Sequence, residues 1–164
     1  MREDDARVYF FDTSALVKRY HREIGTAVVD AAFDDKDTTR MISDISVIEF
    51  HSAFARKVRT GEITEEDFRR TIKEMAEDIR SGVIELAFFG DSEKKEAAAL
   101  IEKYGLSRNL RTLDAMQLAV MKRLGLQVTP HVYCADRSFA ALVKEEGLLV
   151  INPEEPPQPT QQTQ

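Results

Sequence analysis

Three acidic residues stand at positions that suit chemistry. Asp12 directly follows the apolar run VYFF at residues 8–11, and Asp136 comes two residues after the run VYC at 132–134. Asp114 lies in the apolar segment TLDAMQLAVMKRL at 112–124, where a carboxylate needs a cationic partner because an isolated buried charge is costly. Clustered carboxylates favour a divalent cation, and all-oxygen ligands suit Mg²⁺ or Mn²⁺. Such a site could activate water for phosphoryl transfer or phosphodiester hydrolysis.

Each of these acids also has a purely structural interpretation. Asp12 precedes TSAL and Asp136 precedes RSFAAL, so either residue could cap the N-terminus of a helix. Asp114 could form a structural ion pair with Arg108 or Arg111, which lie nearby in the sequence. The residues alone leave both alternatives open.

The segments that must position these acids alternate between short β-prone runs and longer amphipathic stretches. Helices are predicted to start at 13 and to span 24–34, 44–59, 64–80, 91–104, 112–124 and 137–145; strands are predicted at 8–11, 41–43, 83–88, 132–134 and 148–150. This alternation, without a hairpin signature, predicts an α/β sandwich with a mostly parallel sheet. Ligands of such sheets bind outside the carboxyl ends of the strands, where Asp12 and Asp136 are expected to meet.

Composition limits the class of protein. The 164 residues are 43% hydrophobic, which predicts one folded domain at residues 8–152. The end of the chain, PEEPPQPTQQTQ at 153–164, predicts a disordered tail rich in Pro and Gln. A single cysteine excludes a disulfide scaffold and fits a reducing compartment. No apolar run reaches membrane-spanning length, and the acidic start MREDDAR is unlike a signal peptide, so we expect a cytoplasmic protein without a membrane partner.

Four segments in order resemble the PIN-domain ribonucleases, and most closely the VapC-type toxins of toxin–antitoxin pairs. They are YFFDTSALVKRY at 9–20, ISDISVIEFHSAFAR at 42–56, LRTLDAMQLAVMKRLG at 110–125 and VYCADRSFAALVKEEGLLVINP at 132–153. The resemblance implies a three-layer α/β/α sandwich of the PIN type. Its mostly parallel central sheet would contain four to five short strands.

The same resemblance implies a catalytic and metal-binding set, called the acidic set below, that holds Mg²⁺ or Mn²⁺ and directs water at an RNA phosphodiester. Its members are Asp12, Glu49, Asp114 and Asp136. Only the resemblance selects Glu49, because helical periodicity places it beside Ser52 and Arg56, opposite an apolar arc. That arc contains Val47, Ile48, Phe50, Phe54, Ala55 and Val58. The resemblance also suggests that Thr13 or Ser14 orients a ligand or water, and it leaves the role of Ser138 open.

The resemblance further implies three partners: an RNA substrate, a VapB-type antitoxin whose C-terminal segment crosses the active site, and a second copy in a homodimer. The alternative is a non-catalytic PIN-like protein-binding module. A phosphatase of the haloacid dehalogenase type is disfavoured, because its second Asp would stand where this sequence has Ser14. A receiver domain would need paired acids after the first strand, and VYFFDTS supplies one.

Basic residues close to the four segments could contact RNA phosphates. Arg108, Arg111 and Arg137 are the leading candidates because they flank Asp114 and Asp136. The remaining basic residues near the segments are Lys18, Arg19, Arg22, Arg56, Lys57 and Arg59.

Overall fold

The structure is a computed structural model and describes residues 7–155. Strands and helices alternate along this part of the chain, as the sequence predicts. The strands are β1 (Arg7–Phe11), β2 (Thr38–Ser43), β3 (Glu85–Ala87), β4 (His131–Tyr133) and β5 (Leu149–Ile151). The helices are α1 (Thr13–Tyr20), α2 (Thr26–Asp34), α3 (Asp44–Arg59), α4 (Glu65–Arg80), α5 (Asp91–Tyr104), α6 (Thr112–Gly125) and α7 (Arg137–Glu145).

All five strands are parallel and lie in the order β3-β2-β1-β4-β5. The prediction of a mostly parallel sheet is therefore confirmed. Strands β2 and β3 lie in succession on one side of β1, and β4 and β5 lie in succession on the other side. The order thus changes direction between β1 and β4, and such a switch point opens a crevice at the carboxyl ends of the strands.

Two hydrophobic cores separate the sheet from two layers of helices. Phe10 and Val132 point to one face and pack with α5, α6 and α7. Phe11 and Tyr133, one position further along their strands, point to the other face and pack with α1 to α4. Successive side chains of a strand alternate between faces, so β1 and β4 contribute to both cores. The three-layer α/β/α sandwich is confirmed.

Helix α3 buries the aromatic part of its predicted apolar arc. The rings of Phe50 and Phe54 are within the core, only 0% and 1% exposed. Ile48 was predicted to share that arc, but it is 73% exposed, so this part of the prediction is wrong. The reason is that Ile48 faces the cleft at the carboxyl edge of the sheet rather than the core.

The end of the described chain packs against the region between α1 and α2. Pro153 is buried against Gly25, whose φ of 90° lies in the left-handed region and where a Cβ would come within 2.8 Å of the Pro153 carbonyl oxygen. Glu154 pairs with Lys18 at 2.6 Å. The tail predicted at 153–164 therefore begins within this packed segment, and its residues 156–164 lie outside the described residues. Among residues 7–155, no helix is long and apolar enough to cross a membrane.

Candidate active site

A cleft of about 650 Å³ opens at the carboxyl edge of the sheet, and all four members of the acidic set line it. They come from four places: the end of β1, the middle of α3, the first turn of α6 and the residue preceding α7. The crevice expected at the switch point is therefore present. The fold brings together acids that are up to 124 positions apart in the sequence.

Asp12 is held at the bottom of this cleft by Ser14. It is 7% exposed and caps α1: the backbone N–H and the Oγ hydroxyl of Ser14 both donate to its Oδ2, at 3.1 and 2.6 Å. Burial, together with the smaller effect of the charges of Glu49 and Asp114, raises the pKa of Asp12 to about 6. The hydrogen bonds from Ser14 act in the opposite direction but are outweighed.

Ser14 also connects the ends of β1 and β4. Its Oγ accepts hydrogen bonds from the backbone N–H groups of Ala135 and Asp136, at 2.9 and 3.3 Å. Asp136 itself caps α7, because its Oδ1 accepts from the N–H of Phe139 at 3.0 Å. Helix capping and a position in the cleft are therefore compatible for both Asp12 and Asp136, rather than alternatives.

Glu49 is half-buried, so its expected place on an exposed face is wrong. Its Oε2 accepts from Thr13 Oγ1 at 2.9 Å and from Gln117 Nε2 at 2.5 Å. The same Gln117 nitrogen donates to Ser46 Oγ at 2.8 Å, and Gln117 is only 1% exposed. Helical periodicity did not predict the burial of Glu49, because its polar partners come from α1 and α6. Spacing within α3 carries no information on which side other helices cover.

Gln117 is not among the residues predicted from the sequence. The signal was present, since Gln117 is a polar residue inside an apolar helical segment, three positions after Asp114 on the same stripe. A buried amide needs hydrogen-bond partners, and a carboxylate is a suitable acceptor for its N–H groups. Its partners could not be named, because they lie on another helix.

Asp114 is half-buried, and its pKa is raised by burial and by the charges of Asp136 and Glu49, against a hydrogen bond from the backbone of Arg111. The alternative of a structural ion pair is wrong within residues 7–155. Arg108 instead pairs with Glu145 at 2.8 Å, and the ion pairs of the described residues do not join Arg111 to Asp114.

The basic residues divide into paired and unpaired groups. Of the three leading candidates, Arg137 lies 3.7 Å from Glu155, and Arg108 pairs with Glu145. Arg111 lines the cleft and has no ion pair among the described residues. Arg56 and Arg59 also line the cleft. Ser138 lies in an adjoining pocket of about 380 Å³ that shares Asp114 and Asp136 with the cleft.

The donor set suits a hard divalent cation. Four carboxylates in one cleft supply only oxygen ligands, as Mg²⁺ and Mn²⁺ prefer, and the raised pKa values of Asp12 and Asp114 reflect burial and mutual repulsion that a cation would relieve. In their present positions, however, no three His, Cys, Asp or Glu side chains of residues 7–155 are close enough together to hold a metal ion. The acidic set therefore fits a metal by its chemistry but would have to draw together around it.

Comparison with known proteins agrees with this geometry. The family model of the PIN domain matches residues 9–145. Comparison with curated proteins gives no match. Among solved structures, the fold is similar to a toxin–antitoxin complex from Klebsiella pneumoniae, with a TM-score of 0.60, 14% identity, and coverage of 88% of this chain and 97% of that one.

Two DNA-bound complexes are similar as well. One is FitAB bound to an IR36 DNA fragment, with a TM-score of 0.63, 17% identity, and coverage of 92% of this chain and 98% of that one. The other is VapBC2 from Rickettsia felis bound to a DNA fragment from its promoter, with a TM-score of 0.57, 13% identity, and coverage of 88% and 98%. At these identities the structures share the fold. The family model covers most of the chain, and with the parallel sheet and its cleft it shows that this chain belongs to the PIN-domain family.

Proposed function

We propose that this protein is the toxin of a toxin–antitoxin pair and a Mg²⁺- or Mn²⁺-dependent endoribonuclease. One observation carries the proposal: the acidic set, drawn from four separate elements, lines a single cleft at the switch point of the sheet. Carboxylates concentrated in this way are costly for stability, because like charges repel and burial disfavours ionisation. A site that tolerates this cost is a candidate for function.

In the proposed site, three carboxylates each have one oxygen hydrogen-bonded to the protein, which leaves the second oxygen of each for a ligand. Oδ2 of Asp12 is bound by Ser14, Oε2 of Glu49 by Thr13 and Gln117, and Oδ1 of Asp136 by the backbone of α7. Pre-oriented ligands of this kind reduce the cost of binding. A divalent ion held by the acidic set would supply an activated water and offset the negative charge of the phosphodiester.

The partners follow from the same proposal. Two similar structures are a toxin–antitoxin complex and VapBC2, and we propose a VapB-type antitoxin for this chain as well. We also propose RNA as the substrate, a homodimer as the assembly and the cytoplasm as the location. The folded domain at 8–152 and the tail at 153–164 remain predictions.

The test is RNA cleavage by purified protein freed of any copurified antitoxin. A panel of structured RNAs is incubated with Mg²⁺ or Mn²⁺ and, separately, with EDTA. We expect cleavage by the wild type with metal, and its loss in EDTA and in Asp114→Asn. The matched control is Asp91→Asn. Asp91 is an exposed acid on α5 outside the cleft, and its one ion pair within residues 7–155 is with Lys94. Metal-independent cleavage, or full activity of Asp114→Asn, contradicts the proposal.

One observation favours a second function, a non-catalytic PIN-like protein-binding module. In the described part of the chain, the acids are too far apart to hold a metal ion as they stand. Calorimetric titration with Mn²⁺ separates the two functions, because a nuclease must bind the ion and lose that binding in Asp114→Asn. A folded protein that binds no Mn²⁺ and cleaves no RNA would be the binding module.

A further inference from the structure

We propose that Arg56, Arg59 and Arg111, called the arginine track below, bind successive phosphates of the RNA strand and lead it to the acidic set. This inference rests on the proposed ribonuclease function, and it assigns the substrate contacts of the same cleft. All three residues line the cleft together with the acidic set. All three are exposed.

The arginine track combines a position in the cleft with the absence of ion pairs within residues 7–155. Most other exposed arginines in this part of the chain are paired, as Arg19 is with Asp30 at 2.8 Å and Arg69 with Glu65 at 3.2 Å. Arg22 is exposed and has no ion pair among these residues, but it does not line the cleft. Among residues 7–155, the members of the arginine track have no carboxylate within 4.0 Å, although the acidic set lines the same cleft. Their guanidinium groups are therefore available to a ligand from solution.

The spacing along α3 suits an extended strand of phosphates. Arg56 is seven residues after Glu49, which is about 10 Å along a helix and nearly the same face. Arg59 is ten residues after Glu49 and therefore about 15 Å away along the same axis. The two arginines thus form a line that leads away from the acidic set, as contacts to phosphates beyond the scissile one would require.

Arg111 occupies a different side of the cleft. It immediately precedes α6 and is three residues before Asp114. A guanidinium there can offer paired N–H donors to a phosphate close to the acids.

The charge of the cleft explains why such a track is needed. Four carboxylates repel a polyanion, and a divalent cation neutralises only part of that charge. Arginine is the side chain best suited to phosphate, because its planar fork donates two parallel hydrogen bonds and stays ionised at every accessible pH. Three guanidinium groups that are unpaired in the described part of the chain, and that lie in an acidic cleft, are therefore matched to a phosphate chain.

The experiment measures binding separately from cleavage. In the cleavage-deficient Asp114→Asn background, without added divalent metal, the affinity for a short unstructured RNA is measured by fluorescence anisotropy over a series of salt concentrations. Each phosphate contact on a single strand contributes about 0.7 to the slope of log K against log salt. We expect Arg56→Gln with Arg59→Gln to reduce that slope by about 1.4, and the addition of Arg111→Gln to reduce it by about 2 in total.

The matched control removes the same charge outside the cleft. Arg69→Gln with Arg70→Gln, on α4, also changes the net charge by −2, and neither residue lines the cleft. We expect this double variant to leave the salt slope of RNA binding unchanged within experimental error. In the active protein, the arginine variants should raise KM for RNA cleavage without lowering kcat, because these contacts are equal in the ground and transition states.

Two results overturn the arginine track. One is an unchanged salt slope in Arg56→Gln with Arg59→Gln. The other is an equal decrease of that slope in Arg69→Gln with Arg70→Gln. Failure of the Asp114→Asn protein to bind RNA at all overturns it as well. Absence of cleavage by the wild type would instead count against the proposed function. If Arg56→Gln with Arg59→Gln loses binding to an antitoxin peptide but keeps the same salt slope for RNA binding, the arginine track serves a protein partner and the proposal is wrong.

Discussion

Ser14 links the two strand ends on which the candidate site depends. Its hydroxyl donates to Asp12 and accepts from the backbone N–H of Ala135, so one side chain joins β1 to β4. Ligand-orienting contacts of this kind affect metal affinity more than their energy alone suggests. We therefore expect Ser14→Ala to weaken Mn²⁺ binding roughly tenfold, measured by calorimetry.

Ser138→Ala provides the comparison for this prediction. Ser138 is an exposed serine that lies in the adjoining pocket near the same acids. The Ser138→Ala variant should bind Mn²⁺ with the same affinity as the wild type. Equal affinity in the Ser14 and Ser138 variants would show that the strand link does not orient Asp12.

Gln117 positions Glu49 from within the core. The substitution Gln117→Leu keeps a similar volume but removes the donor to Glu49 at 2.5 Å and leaves Thr13 as its remaining partner in the described chain. We expect Mn²⁺ affinity to fall roughly tenfold because Glu49 is less well oriented. The free energy of unfolding should change by only about 1 kcal/mol, as is usual for a net hydrogen bond.

Ser46→Ala separates positioning from general stability. It removes the contact from Gln117 to Ser46 at 2.8 Å and keeps the contact to Glu49. Thermal unfolding and Mn²⁺ titration are measured for both variants. A loss of affinity in Ser46→Ala as large as that in Gln117→Leu would contradict a specific role for the amide.

At the scale of the elements, Glu146 joins three helices on one face of the sheet. It follows α7 directly and accepts from Lys103 at 2.7 Å and Tyr104 at 2.6 Å on α5, and it pairs with Lys122 at 2.6 Å on α6. Burial alone would raise the pKa of Glu146, but the hydrogen bonds from Lys103, Lys122 and Tyr104 outweigh burial and lower it to about 2.

This shift predicts a specific dependence of stability on pH. A carboxyl group with a lowered pKa stabilises the folded protein above its unfolded pKa, and that contribution is lost as pH falls through the folded value. We expect Glu146→Gln to lower the free energy of unfolding by about 2 kcal/mol at pH 7. The difference from wild type should shrink between the ordinary glutamate pKa and pH 2, as measured by urea unfolding over that range.

The neighbouring Glu145→Gln is the matched control. Glu145 makes one pair, with Arg108 at 2.8 Å, and both side chains are well exposed. Exposed pairs contribute little, so this variant should differ from wild type by less than about 1 kcal/mol. A pH-independent effect of Glu146→Gln would show that packing, rather than charge, connects these helices.

At the scale of the whole molecule, the end of the described chain is bound to its beginning. Lys18 is only 3% exposed, and its ammonium group contacts Glu23 at 3.0 Å and Glu154 at 2.6 Å. A chain ending at residue 152 lacks Glu154 and the buried Pro153. We expect that truncation to lower the free energy of unfolding by about 1–3 kcal/mol, because a buried charge loses one of its partners.

A chain ending at residue 155 is the comparison for this truncation. It keeps Pro153 and Glu154 and removes only residues outside the described part of the chain. Its melting temperature should match that of the full chain. If both truncations are equally stable, the segment at 153–155 does not support the fold, and the domain predicted at 8–152 is sufficient by itself.

The succession of strands and helices and the parallel sheet were predictable from the amino-acid sequence. They follow from periodicity and from connections that are local in the chain, such as the turn from VYFF through Asp12 into α1. The positions of Asp12 and Asp136 at strand ends were predictable for the same reason. The three layers were implied by the resemblance to a known family. Glu49 could be identified as a site residue only from the resemblance of the chain to a known family, because local spacing placed it on an exposed face.

The set of side chains that meet at the cleft depends on how distant segments pack together. Glu49 is held by residues 36 and 68 positions away in the sequence, and Lys18 by a residue 136 positions away. The tertiary structure also decided that Arg56 and Arg59 are unpaired within residues 7–155 while Arg108 and Arg137 are paired. The physical reason is that burial and pairing of a polar side chain depend on what another element brings to it, which periodicity within one element does not contain.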